Sequence, residues 1–140
     1  MDAVDPVRRA RELQDAMPHM TALGIGIVSI DRPFVVTRLP WDERLLGDPE
    51  TGALAGGVVT TALDNASATA AAVTAGGGFG VATLDLRIDY LRPSRRGEPL
   101  MLSAECYRTT RHVAFVRAEA WHAFDVPLVV ATGVGTFALA

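Results

Sequence analysis

The stretch GALAGGVVTTALDNASATAA, residues 52–71, holds the groups best placed for chemistry. Gly56 and Gly57 stand at the mouth of an otherwise apolar, small-residue run, and one carboxylate, Asp64, lies inside it. In a helix, the first amides point outward without intrahelical partners and sit at the positive end of the dipole, where they suit a developing negative oxygen. The N–H of Gly56 or Gly57 is then a donor of the oxyanion-hole kind, and glycine lets a reacting group come close to the backbone. An aspartate in the same run can activate water or attack an electrophile directly. Each feature also has a structural reading. A buried acid can simply bond to backbone or to a nearby threonine, and a Gly-Gly pair can be only a tight loop entering a helix.

The elements that must position these groups follow from periodicity. Residues 57–75 are mostly Ala, Val, Leu and Thr without proline, ended by GGGFG, which predicts a helix that is apolar nearly all round and buried on most sides. Before it, residues 6–17 place Val7, Ala10, Leu13, Gln14 and Met17 on one side at helical spacing, with Pro18 marking the end. GIGIVSI and FVVTRLP flank the turn residues DRP, so residues 25–39 read as a β-hairpin, followed by the polar loop WDERLLGDPETG. After the glycines the period changes. Leu84, Leu86, Ile88 and Tyr90 alternate with Asp85, Arg87 and Asp89, as in a strand with one buried face. Three further strands are expected near residues 99–109, 112–123 and 127–138, joined by short antiparallel connections; Gly133 and Gly135 in the last suggest close packing or a bulge. Helix, two strands, long buried helix and four strands have one economical packing, an antiparallel sheet of about six strands curled around the helix, which is the α+β hotdog architecture.

Composition bounds the function classes. The 140 residues suit one domain spanning 1–140, an amphipathic helix over 1–18 followed by a core over 19–140. Hydrophobic residues at 49% and a net charge of −3 offer no general attraction to nucleic acid or to an anionic membrane. The charged N-terminal stretch lacks the apolar segment of a signal peptide, and the one cysteine, Cys106, has no intrachain partner, so a cytoplasmic location is expected. Asp64, Asn65 and GGGFG interrupt the most membrane-like run. His19, His112 and His122 show no metal-ligand spacing with Cys106 and read as surface or internally satisfied histidines, and Cys106 as core.

Three stretches resemble the PaaI-type hotdog acyl-CoA thioesterases: GALAGGVVTTALDNA matches the family's Gly-Gly and acid helix motif, TLDLRIDYLRPS its central strand, and TTRHVAFVRAEAWHAFDVPLVVATGVGTFAL its closing hairpin. The likeness covers residues 19–139. The chain departs from it at Ala55, where the family usually has histidine, and at Pro49, where some members carry a functional asparagine. The resemblance implies hydrolysis of an acyl- or aryl-CoA thioester, with no metal or other cofactor. The catalytic residues would be Asp64 and the Gly56 N–H, with Thr83 helping to position water. Ala55, Gly57, Leu54 and Asn65 would contact substrate, Leu45, Leu46 and Leu54 would line the acyl pocket, and Arg92, Ser94 and Arg95 would meet the phosphates of coenzyme A. Arg108 and Arg111 are further candidates for those phosphates.

Gly56 and Asp64 are eight residues apart, about 12 Å along a helix axis. One carbonyl must lie within about 3 Å of both groups, so the site is expected to combine Gly56 of one subunit with Asp64 of another. The resemblance implies the same: a homodimer, or a dimer of dimers, with shared sites. The alternatives are a hotdog protein that binds acyl-CoA or another apolar ligand without turnover, and an interaction module. A dehydratase or hydratase is disfavoured because such enzymes generally use a histidine in the site, and none lies near this helix in the sequence.

Overall fold

The computed structural model describes residues 5–76 and 80–140. Two short helices, α1 (Pro6–Ala16) and α2 (Pro18–Leu23), lead into a hairpin of β1 (Gly26–Asp31) and β2 (Phe34–Leu39). The long helix α3 (Gly56–Thr74) is followed by β5 (Val81–Tyr90), β6 (Leu100–Thr109), β7 (Val113–His122) and β8 (Leu128–Leu139). Six of these strands form one antiparallel sheet in the order β1-β2-β6-β7-β8-β5. With α3 laid across its inner face, this is the hotdog fold.

The core follows from strand and helix periods meeting. Along β6, Leu100, Leu102, Ala104 and Cys106 turn inward; along β7, Ala114, Val116, Ala118 and Ala120 do the same, each pair two residues apart. Ala62, Leu63, Ala66, Ala70 and Val73 of α3 meet them, all with no exposed surface. Small residues on both sides let helix and sheet approach closely. Deleting a side chain such as Leu63 from this core costs about 2–5 kcal/mol.

Several expectations need correction. Pro18 ends α1 but also begins α2, because proline is suited to the first helical position, where no N–H donor is required. The loop at residues 41–52 is not structureless: a 3₁₀ turn at Glu43–Leu45 precedes β3 (Leu46–Asp48), which pairs with β4 (Ala53–Leu54). The strand expected to be central, β5, lies at the edge of the sheet. Its alternation is also broken. The pairing with β8 slips between Thr83 and Asp85, so Leu84 is 59% exposed; Tyr90 is 54% exposed, and only Leu86 and Ile88 of the four are half-buried. In β8, Gly135 is the closely packed glycine, since a Cβ there would lie 2.7 Å from the Asp85 carbonyl. Residues 77–79 of the glycine-rich stretch lie outside the described residues.

Candidate active site

The start of α3 presents bare backbone donors. Ala55 is the N-cap and has no side-chain acceptor; its carbonyl takes the amides of Val58 and Val59 at 3.0 and 3.2 Å, and the exposed amides of Gly56 and Gly57 have no intrahelical acceptor. Neither glycine has positive φ. A Cβ at Gly56 would come no closer than 3.6 Å to Tyr90, and one at Gly57 would meet nothing within 4 Å. Glycine weakens a helix relative to alanine, so the packing of this chain does not account for the pair.

This end is held rigidly. The Ala55 amide donates to Leu45 O at 2.9 Å, and the Leu54 amide donates to Ser94 Oγ at 2.9 Å. The hydroxyls of Tyr90 and Thr60 lie 2.9 and 3.0 Å from Gly56 O and against each other, so that either one donates to that carbonyl directly or through the other. The Gly56 carbonyl belongs to the same peptide group as the Gly57 N–H, so these bonds orient that donor. Ser94 lies in a loop fixed by buried His122, whose Nε2 accepts from the Arg95 amide at 2.9 Å while Nδ1 lies 2.9 Å from Pro99 O. An amide donor on one nitrogen and a carbonyl acceptor on the other fix the tautomer with the proton on Nδ1. His122 is thus an internally satisfied histidine. Arg96 donates to Pro49 O at 2.7 Å and lies against Gly52, bracing the loop before the helix.

Asp64 sits two turns further along α3, half-buried. Thr83 Oγ1 donates to its Oδ1 at 2.6 Å, within the range of a charge-assisted O–H···O bond. Among the described residues no other side chain bonds to this carboxylate. Asn65 next to it is occupied elsewhere: its amide and that of Gln14 exchange two bonds, at 3.0 and 3.1 Å, and both side chains are buried. This pair clamps α1 onto α3.

The two halves line different cavities. Gly56, Leu54, Tyr90, Arg92 and Ser94 border one of about 360 Å³; Asp64, Asn65 and His19 border another of about 350 Å³, and the two share no lining residue. One chain therefore does not bring Gly56 and Asp64 together. His19 corrects the expectation that no histidine lies near α3: α2 folds back over the helix and brings it there from 45 positions away from Asp64 in the sequence.

Leu45 packs against the core and half-buried Leu46 pairs with Leu54 in the small hairpin, so neither lines either cavity. Arg92 and Arg95 are exposed at the first cavity or next to it, whereas Ser94 is buried and holds Leu54. Arg108 lies over the Phe115 ring, and Arg111 is at the far end of α3. Cys106 is buried, and burial raises its thiol pKa. Tyr90, Thr60, Gln14 and His19 were not anticipated as site residues. Only Tyr90 carried a signal, as the last member of the alternating strand.

The family model for the thioesterase superfamily matches residues 51–126. No curated protein matches the sequence. Among solved structures, a protein from Pseudomonas aeruginosa is 33% identical, covers 96% of this chain and 99% of its own, and superposes with a TM-score of 0.83. A thioesterase family protein from Silicibacter pomeroyi is 26% identical over 95% of this chain and 96% of its own, with a TM-score of 0.86. A putative thioesterase related to phenylacetic acid degradation, from Ralstonia eutropha JMP134, is 26% identical over 94% and 98%, with a TM-score of 0.77.

Proposed function

The chain belongs to the thioesterase superfamily, as a hotdog-fold protein of the PaaI type, and on that premise we propose that it hydrolyses acyl-CoA thioesters at sites shared between two subunits. The observation that carries this reading is Asp64, held by Thr83 and lining a cavity that the chain's own Gly56 does not border. A second copy resolves the separation. Strand β5 is an open edge ten residues long, with Leu84 and Tyr90 exposed on it. Antiparallel pairing with its two-fold copy, centred at Leu86 and Arg87, sets Thr83 of one chain opposite Tyr90 of the partner subunit. Thr83 holds Asp64 and Tyr90 holds Gly56, so the pairing brings Asp64 toward Gly56 of the partner subunit.

In that arrangement the thioester carbonyl oxygen takes the Gly56 N–H, whose charge stabilisation grows as the tetrahedral intermediate forms. Asp64 accepts a proton from water as its oxygen bonds to the carbonyl carbon. The C–S bond then breaks, and the proton passes to the departing CoA thiolate. Direct attack by Asp64, with hydrolysis of the resulting anhydride, uses the same groups. Thr83 keeps one carboxylate oxygen in place. Arg92 and Arg95 supply forked donors for the CoA phosphates. No metal or further cofactor enters this scheme; among the described residues no helix is long and apolar enough to cross a membrane.

The test is release of free thiol from a panel of aryl- and fatty-acyl-CoAs by the parent and by Asp64→Asn. Turnover by the parent, lowered at least 100-fold in the variant, is expected. Equal rates would remove Asp64 from the mechanism. The second reading, acyl-CoA binding without turnover, draws on the absence of any side-chain cap at Ala55. Tight binding of intact acyl-CoA with no product after long incubation would select it.

A further inference from the structure

We infer that the cavity over α3 is an acyl subsite that measures chain length and selects straight, medium-length acyl groups. This rests on the thioesterase reading above and adds to it where the acyl group lies. Asp64, Ala68 and Ala72 recur every fourth residue and so form one ridge along α3. From Asp64 to Ala72 the ridge runs about 12 Å, long enough for an extended alkyl chain on the order of nine carbons.

The walls are apolar: Leu13 of α1, Met17 at the junction and Met20 of α2 arch over the ridge, and Val81 stands at the far end. That end is fixed by the direction of β5, which runs from Val81 through Thr83 at Asp64 to Tyr90 at Gly56. The threonines and the asparagine on the cavity wall are already satisfied. Thr61 Oγ1 donates to Gly57 O at 2.9 Å, Thr69 Oγ1 to Asn65 O at 2.8 Å, and Asn65 is paired with Gln14. The groove thus offers methyl and thioether surface along its length, with Asp64 and exposed His19 as its polar groups. Its volume of about 350 Å³ lies in the range of small-molecule sites. Methionines adapt to a flexible chain, and two alanines leave the floor open for it. The leucines of the loop before α3, expected to line the acyl pocket, face neither cavity except for Leu54.

The test pairs two readouts on the full chain: kcat/KM over straight-chain acyl-CoAs of graded length, and calorimetric binding of the free fatty acids of the same lengths. Ala72→Leu fills the far end and Ala68→Leu the middle. For both, the ratio of short-chain to long-chain kcat/KM should rise at least tenfold, at about fourfold per methylene excluded, and Ala68→Leu should cut at a shorter length. Met17→Ala should extend the accepted length. Ala72 is 3% exposed, so if its variant fails to fold, half-buried Ala68 carries the test. Parallel shifts in turnover and binding support the ruler. Parent turnover with unchanged profiles in folded variants overturns the ruler and leaves the thioesterase reading standing. Shifted binding without any turnover supports the subsite and removes hydrolysis. Neither turnover nor binding overturns both.

Discussion

The start of α3 and its middle are opposite in kind although they share one helix and one strand. At the start, Gly56 and Gly57 offer backbone N–H groups, braced by hydroxyls from Tyr90 and Thr60 and bordered by Arg92. In the middle, Asp64 offers a carboxylate held by Thr83 and walled by apolar side chains. Strand β5 ties down both, with Thr83 near its beginning and Tyr90 at its end. The difference has a physical use. A carboxylate within reach of its own helix start would accept the free amides and silence both groups, since anions are stabilised there. Setting them about 12 Å apart keeps the carboxylate off the free amides, as the shared site proposed above requires.

The sharpest way to break this comparison is complementation. Asp64→Asn and Gly56→Val, each inactive alone, should recover about a quarter of parent turnover when unfolded and refolded together, because half of randomly paired dimers carry one intact shared site. Recovery of nothing would mean that both halves act within one chain. Next in size, Thr83→Val should lower kcat about 10- to 100-fold, the worth of a hydrogen bond to a charged group, with Thr83→Ser restoring most of it. At the other end, Tyr90→Phe should lower kcat about fivefold, since it frees the Gly56 carbonyl and so loosens the first turn of α3 that presents the Gly56 N–H. Equal effects at Thr83 and Tyr90 would erase the distinction between the charged and the neutral half. Smallest in catalytic reach, Gln14→Leu should cost about 1–3 kcal/mol in denaturant unfolding by orphaning the buried Asn65 amide. Its kinetic effect should appear at the Asp64 cavity, as a changed acyl preference, and not in the binding of CoA itself.

Much of this was legible along the chain. The hairpin at β1 and β2, the long helix and the last three strands fall within a residue or two of where periodicity placed them, because their hydrophobic faces repeat at 2.0 or 3.6 residues. Asp64, Gly56 and Thr83 lie on the elements expected to carry them. The misses share a cause. Pattern cannot order strands in a sheet, and the central place of β5 rested on the family resemblance alone. Its alternating leucines read as buried because neither the slip at Leu84 nor the open edge leaves a local mark. The leucines at 45 and 46 were chosen by nearness in sequence to the helix, whereas the wall facing Asp64 includes Leu13, Met17, His19 and Met20, which are far from it in sequence.

By itself, then, the sequence determined the local matters: where the helix begins, that its first amides are bare, and that an acid sits two turns beyond them. These depend on residue type and on a rise of about 1.5 Å per residue, which hold wherever the helix lies. Only the tertiary structure decided that Gly56 and Asp64 face separate cavities, that β5 is an open edge, and that His19 and two methionines roof the acid's cavity. Those depend on contacts between residues far apart in the chain, such as the Gln14–Asn65 pair that seats α1 on α3.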